Sequence, residues 1–318
     1  MPSAAVAYPS PALRMAALIV SGLFWALGPG DARSADLLRP TPPPLAAEIP
    51  SSWTFEFTPY AWATSLKGSQ TVRGRTVDVD ETFLDIVRHT IGNGGQLFAV
   101  MGHFEARNGP IAFFGDGIWE QMAIKGGGVR ARSVEPGISL GIAASGDLKI
   151  KMAIAEAGAA YEVARFGLPL GDVVRIPAGL DLLAGARYWY QQADVSFNVA
   201  TTVDIADLLV RGRNRAIAKS GSVDWTDPFI GARLRLAVAP GQEIFLRGDV
   251  GGFGVGSQLS WQAMAGYNFD FAIWNGVTFS GLLGYRALYV DYEQGQGRRR
   301  YEFDMLQHGP VLGVTMRY

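Results

Sequence analysis

Histidines, cysteines and clustered carboxylates supply most catalytic and metal chemistry, and this chain is poor in the first two. It carries three histidines, His89, His103 and His308, and no cysteine. Thiol nucleophiles, disulfides, Cys-based metal sites and an anchor through a lipidated N-terminal cysteine are thereby excluded. No two histidines stand two or four residues apart, the spacings that put two imidazoles on one face of a strand or helix, so no metal site is expected. His103 shares a strand face with Glu105, and by parity that face is the inner one; an ordinary interior histidine is the expectation. Gly252, Gly254 and Gly256 have phosphate-loop spacing, but such loops join a strand to a helix whose N-terminus holds the phosphate. Here strand-like segments flank both sides, and a tight hairpin is expected. The residues assemble no enzyme active site and call for no cofactor.

Composition narrows the elements that hold these residues. A formal net charge of -1 over 318 residues argues against nucleic acid as a partner. Forty glycines, eight tryptophans and eleven tyrosines suit long hairpins with interfacial aromatics. Arg14, the apolar run 15–27 and the small residues up to Ala35 have the layout of a secretory signal peptide, assigned to 1–35. The run falls short of the roughly 20 apolar residues of a membrane-spanning helix. Residues 36–51, rich in proline, read as an extended periplasmic lead-in, and 52–318 as the folded part.

From Trp53 onward the period is two, the mark of strands with unlike faces. In 259–271 one face carries Leu259, Trp261, Tyr267, Phe269 and Phe271, and the other Ser260, Gln262, Asn268 and Asp270. Strands are expected at 53–66, 95–107, 110–124, 148–165, 179–197, 223–239, 243–253, 257–271, 277–292 and 301–318. Most exceed ten residues, and a bilayer-crossing strand needs roughly 9–11. Short turns at Asn108-Gly109, 239–242 and 274–276 alternate with long polar loops at 67–94, 125–147, 199–221 and 293–300, the asymmetry of outer-membrane barrels. The link 166–178 is long for a turn and the loop at 254–256 short for a loop. Residues 69–80 read as a further strand excursion and 81–89 as a short helix. The fold class is all-β: a transmembrane, antiparallel, up-and-down β-barrel of about ten strands, with eight or twelve also compatible with the loop lengths.

The chain end, Gly313-Val-Thr-Met316-Arg-Tyr318, resembles the terminal strand signature of Gram-negative outer-membrane barrels, in which a glycine, an apolar residue and a final aromatic recur. The resemblance implies that Gly313, Met316 and Tyr318 form an assembly signal read by the barrel-assembly machinery. It also implies a location in the bacterial outer membrane, with outer-membrane lipid and lipopolysaccharide as surroundings. Ten-stranded barrels include the omptin proteases, which use paired aspartates and an Asp-x-His element; no histidine here follows an aspartate at that spacing. Nor does any Ser, His and carboxylate set fit a lipid A deacylase.

Placing the apolar register of each strand against lipid leaves Glu56, His103, Glu105, Asp116, Glu120, Glu156 and Glu162 inward from the first four strands. Arg187, Arg233, Arg235, Arg247 and Arg286 point inward from the later ones. One wall is acidic and the other basic, diluted by Asp181, Asp249 and Asp270. Arg233, Arg235 and Arg247 are expected to face Glu56, Glu105 and Glu120 across the lumen. Two readings follow: a closed structural barrel filled by these side chains, or a narrow porin-like channel for small polar solutes. A competing class is a surface recognition or adhesion protein acting through basic extracellular loops. Lys149, Lys151 and the run Arg298, Arg299, Arg300 are candidate contacts to glycolipid phosphates. A soluble barrel holding a lipophile would need its apolar faces inside, against the outward placement of Trp261, Tyr267, Phe269, Phe279, Leu283, Tyr285 and Tyr289.

Overall fold

The computed structural model describes residues 52–72, 75–92, 94–125, 129–130, 139–170, 174–205, 208–209 and 215–318. The signal peptide and the lead-in assigned above lie outside them. All described residues belong to one compact unit, Pro50–Tyr318.

Along the chain run β1 (Thr54–Trp62), β2 (Ser65–Val72), β3 (Arg75–Glu81), α1 (Phe83–Ile91), β4 (Gln96–Asn108), β5 (Ile111–Lys125), β6 (Val129–Arg130) and β7 (Ser139–Leu170). There follow β8 (Val174–Ile205), β9 (Leu208–Leu209), β10 (Arg215–Ala239), β11 (Gln242–Gly251), β12 (Leu259–Trp274), β13 (Val277–Gln294) and β14 (Tyr301–Arg317). Hydrogen bonding runs β1-β4-β5-β7-β8-β10-β11-β12-β13-β14, all antiparallel, and β14 returns to β1 from Glu56↔Arg317 to Trp62↔Val311. Ten strands therefore close on themselves, with β2 and β3 as an added hairpin. The last residue completes the ring: the Tyr318 N–H donates to the Phe55 carbonyl at 2.8 Å and the Phe55 N–H to the Tyr318 carbonyl at 2.7 Å. No helix among the described residues is long and apolar enough to cross a membrane.

The turns follow from their residues. Asn275 and Gly276 take φ of 49° and 79°, the two left-handed central positions whose twist matches a two-residue hairpin. Gly241, after Pro240, takes φ of 70°. These turns define a short-turn rim; the opposite rim carries the long connections.

Several connections differ from the sequence expectation. β7 and β8 pair from Ser139↔Asp204 down to Leu170↔Val174, so the described residues of the supposed loops 125–147 and 199–221 and of the link 166–178 are strand. Polar strands beyond a lipid belt have no apolar face to alternate, which is why composition marks them as loop. In 67–94 the expected excursion is present as β2 and β3, and the expected helix as α1, two residues later than read. Thr82 caps α1, its Oγ accepting from the Asp85 N–H at 3.2 Å.

Outward register positions form an apolar belt. Phe55, Phe57, Phe104, Phe113, Trp119, Tyr161, Leu182, Ile230, Leu246, Leu283, Tyr285 and Leu312 are all exposed. Two residues depart from the expectation: Trp261 and Tyr289, on outward positions, are buried with their rings stacked at 5.9 Å.

The wall has one weak line. β1 pairs with β4 only from Thr54↔Arg107 to Pro59↔Gly102. Above that level β1 continues into β2, which stays beside β14, while Gln96–Met101 of β4 pair only with β5. Among the described residues β3 pairs only with β2, and α1, which follows β3, packs against β2, β4 and β5 and so spans the gap.

Candidate functional site

The lumen is organised by strand register. Inward residues directly opposite one another on successive strands form rungs, and two rungs carry most of the charge. The first runs Thr58-His103-Asp116-Glu156-Arg187-Asp227 across β1, β4, β5, β7, β8 and β10. The second runs Glu162-Asp181-Arg233-Arg247-Met264-Arg286 across β7, β8, β10, β11, β12 and β13. The first carries Asp116, Glu156 and Asp227 beside Arg187, and the second Arg233, Arg247 and Arg286 beside Glu162 and Asp181, so each rung draws on both of the walls read from sequence. Closure of the sheet brings the end of the second rung onto the first: the Arg286 guanidinium lies 3.0 Å from Asp116 and 3.0 Å from Glu156.

The pairs interlock into one lattice. Glu156 accepts from Arg187 at 2.8 Å, Arg247 at 2.8 Å and Arg286 at 3.0 Å. Arg187 also donates to Asp249 at 2.7 Å. Towards the short-turn rim, Arg233 grips Glu105 with two bonds at 2.6 and 3.1 Å, and Asp181 collects Arg107, Arg233 and Arg235 at 3.0, 2.9 and 3.1 Å. Glu162 takes Arg235 at 2.6 Å and also pairs with Arg165. Tyr60 donates to Asp116 at 2.9 Å, and His103 lies 3.5 Å from the same carboxylate. Planar guanidiniums suit this task because each offers five N–H donors to several carboxylates at once.

Glycines beneath the lattice make room for rings that support it. A Cβ on Gly158 would stand 2.7 Å from the Phe114 ring, and one on Gly185 2.7 Å from the Phe229 ring. The rings lie 6.3 Å apart, with Arg187 5.1 Å over Phe229 and Arg247 5.1 Å over Phe114. Each guanidinium therefore has a carboxylate at its edge and a ring at its face.

Directly above the first rung lies an apolar one, Met101-Ile118-Ile154-Trp189-Trp225, in register across five strands. Trp189 stacks on Trp225 at 5.5 Å and Trp225 on Tyr292 of β13 at 4.0 Å, joining opposite walls. Phe303, Met305, Leu288 and Val311 complete this dry layer. The glycine-rich segment joins β11 to β12 as a hairpin, as expected, although its connection, 252–258, is longer than a tight turn, with positive φ at Gly252, Phe253 and Gly254. Asp227 anchors it, accepting from the Ser257 N–H at 2.6 Å and the Ser257 hydroxyl at 2.8 Å.

A cavity of about 500 Å³, the vestibule, runs from lattice side chains such as Asp116, Arg247 and Arg286 to Glu56, Glu243, Asp270 and Arg317, with the apolar side chains Phe245, Met264 and Leu282 also lining it. Every arginine of the lattice and vestibule has a carboxylate within 3.2 Å. Glu56 lies 3.8 Å from Arg317, whose close partner is Asp270 at 2.9 Å. Among the described residues Glu243 has no ion pair.

All twelve lumen residues read from sequence line the interior, but the expected partners need correction. Arg233 does meet Glu105, whereas Arg235 pairs with Asp181 and Glu162, and Arg247 with Glu156 and Asp249. Glu56 stands at the mouth, and Glu120, one rung above the apolar layer, has no side-chain hydrogen bond or ion pair among the described residues. Strand tilt and shear set which inward residues meet, and a single sequence does not carry the shear. Arg107 and Tyr60 are lattice members that sequence reasoning missed. Parity with Glu105 and Glu56 would have found both.

Lys149 and Lys151 occupy outward positions, opposite Asp194 and Gln192 on β8. Arg300 is held by Glu293 at 2.9 Å and Glu302 at 3.1 Å, so its charge is already matched within the protein. Arg299 is exposed, and the Arg298 side chain lies outside the described residues. Tyr318 is exposed on the outer face of the short-turn rim, Met316 is partly buried beside Phe279, and Gly313 packs against Tyr60. No group of three or more potential ligand residues that could hold a metal occurs among the described residues.

No family model and no curated protein matches the chain. Among solved structures the chain is similar to the translocator domain of the autotransporter NalP from Neisseria meningitidis, with a TM-score of 0.24 and 11% identity over 83% of this chain and 86% of that one. It is also similar to a Pseudomonas aeruginosa FadL homologue, with a TM-score of 0.24 and 9% identity over 84% and 90%. Likenesses this distant carry no functional argument. The closed ten-stranded barrel rests on its own register.

Proposed function

We propose that this protein is a non-enzymatic outer-membrane barrel closed at mid-height, a structural barrel in preference to an open channel. The observation that carries the reading is the centre of the lattice, where the Arg187 and Glu156 side chains are both 0% exposed and 2.8 Å apart. A conducting pore needs a continuous file of water, and here an ion lattice and an aromatic layer follow one another along the axis. Small barrels have interiors that side chains fill, which favours closure at ten strands. The exposed apolar belt and closed hydrogen-bonded ring support residence in a bilayer, where unpaired backbone is costly.

In this reading the short-turn rim faces the periplasm, the exposed Tyr318 is available to the assembly machinery, and Lys149 and Lys151 meet lipopolysaccharide phosphates. The test is a planar-bilayer recording of the purified protein beside membrane fractionation. Outer-membrane recovery with no steady conductance is expected. Steady ohmic channels would replace the closed reading with the porin-like one, and recovery as a soluble protein would remove the membrane assignment.

A further inference from the structure

Where β1 leaves β4, a helix takes the place of a strand in the wall. Among the described residues Gln96–Met101 pair only with β5 and β3 only with β2, so two sheet edges border the gap that α1 spans. Unpaired backbone is costly against hydrocarbon, and a helix can stand there because its N–H and C=O groups are bonded internally. The Gly95 N–H donates to the Thr90 carbonyl at 2.8 Å, tying the end of α1 to the start of β4.

The helix has two unlike exposed flanks. Thr90 is wholly buried and marks the side turned to the protein. Leu84 and Ile91, two turns apart and so on one side of the helix, are 59% and 57% exposed. Asp85, Arg88 and His89 stand on the other exposed side, the first two joined at 3.8 Å. An apolar flank beside a charged one is the division found in a helix that lies in the plane of a membrane interface.

The adjoining surface identifies what the apolar flank meets. β4, which follows α1, carries Phe98 and Val100 on outward positions, each 56% exposed, and further along the same face Phe104 of the apolar belt. Exposed Trp119 of β5 meets the Phe98 ring edge-on at 5.7 Å. The belt therefore continues along the outside of β4 and β5 to the level at which α1 joins the wall.

We propose that the Leu84–Ile91 flank of α1 is a lipid-binding surface. The helix lies in the membrane interface at the long-loop end of the barrel, with that flank against acyl chains and Asp85, Arg88 and His89 towards water. Lipid, not a second protein, covers the wall where strand pairing stops. The assignment rests on the membrane residence proposed above and is independent of whether the lumen conducts.

The chain has no cysteine, so single cysteines can carry spin labels. Labels on Leu84→Cys, Ile91→Cys and His89→Cys are compared in dioleoylphosphatidylcholine vesicles, with Leu312→Cys of the exposed belt as reference. The measurement is collision with oxygen, which concentrates among acyl chains, and with a water-soluble nickel chelate. The oxygen-to-nickel ratio at 84 and 91 is expected to approach that at 312 and to exceed that at 89 about threefold or more, as for a flank sunk roughly 5–10 Å into the headgroup and acyl boundary. A lipid-like ratio at 312 beside ratios at 84 and 91 no higher than that at 89 would overturn the proposal and leave the membrane assignment intact. A water-like ratio at 312 as well would overturn both. Dipolar broadening between labels on 84 or on 91 would replace lipid with a second copy of the chain. Heat-modifiable gel migration confirms that each variant is folded.

Discussion

The mid-height lattice and the vestibule beneath it are built from the same chemistry, arginine against carboxylate, yet they differ in what surrounds each pair. Arg187 is wholly buried, between Glu156 and Asp249 with the Phe229 ring over its face. Arg317, paired with Asp270 at 2.9 Å, has 40% of its side chain exposed. Distance does not distinguish them. Solvent does, because removing one partner of a buried pair leaves an unsolvated charge, whereas water replaces a lost partner at the mouth.

The comparison breaks most readily at Arg187. Arg187→Ala should destabilise the barrel by about 3–5 kcal/mol in urea unfolding, because Glu156 and Asp249 lose a shared partner in a dry site. Arg187→Met combined with Glu156→Gln should cost less than the sum of the single changes, since the pair is removed together. A loss under about 1 kcal/mol for Arg187→Ala would mean that water reaches the lattice. Next in size is Trp225→Ala, which removes the centre of the Trp189–Trp225–Tyr292 stack and should cost about 3 kcal/mol. If it costs nothing, the apolar layer is not packed as described.

Gly158→Ala sharpens the comparison from the support side. The added methyl meets the Phe114 ring and the Ala184 carbonyl, and a loss of about 1–3 kcal/mol is expected from overpacking. The smallest effect should be Arg317→Ala, under about 1 kcal/mol and screened further by salt. An Arg317 effect equal to that of Arg187 would erase the distinction between the two regions.

How much of this was legible depended on contrast between faces. Strands such as 259–271 alternate strongly, and their register and ten-strand count were readable. The inward charges followed by parity, Glu105 with His103 and Arg233 with Arg235. Contrast fails where both faces are apolar: Tyr188, Trp189 and Tyr190 show no period, yet only Trp189 faces the dry layer. Assigning apolar residues to lipid therefore concealed the upper half of the lumen filling. The pairings were unreadable for a different reason, since Arg286 meets Asp116 only through closure of the ring.

The seam between β1 and β4 gives the cylinder an uneven mechanics. β7 and β8 are bonded along their whole described length, but β1 and β4 are stitched only near the short-turn rim. Such a wall behaves as a split sleeve, stiff around most of its circumference and hinged along one line, with α1 as the clasp across the slit. Its softest breathing mode opens at the long-loop end, where edge amides in Gln96–Met101 should exchange with solvent deuterium well before those of β7 and β8.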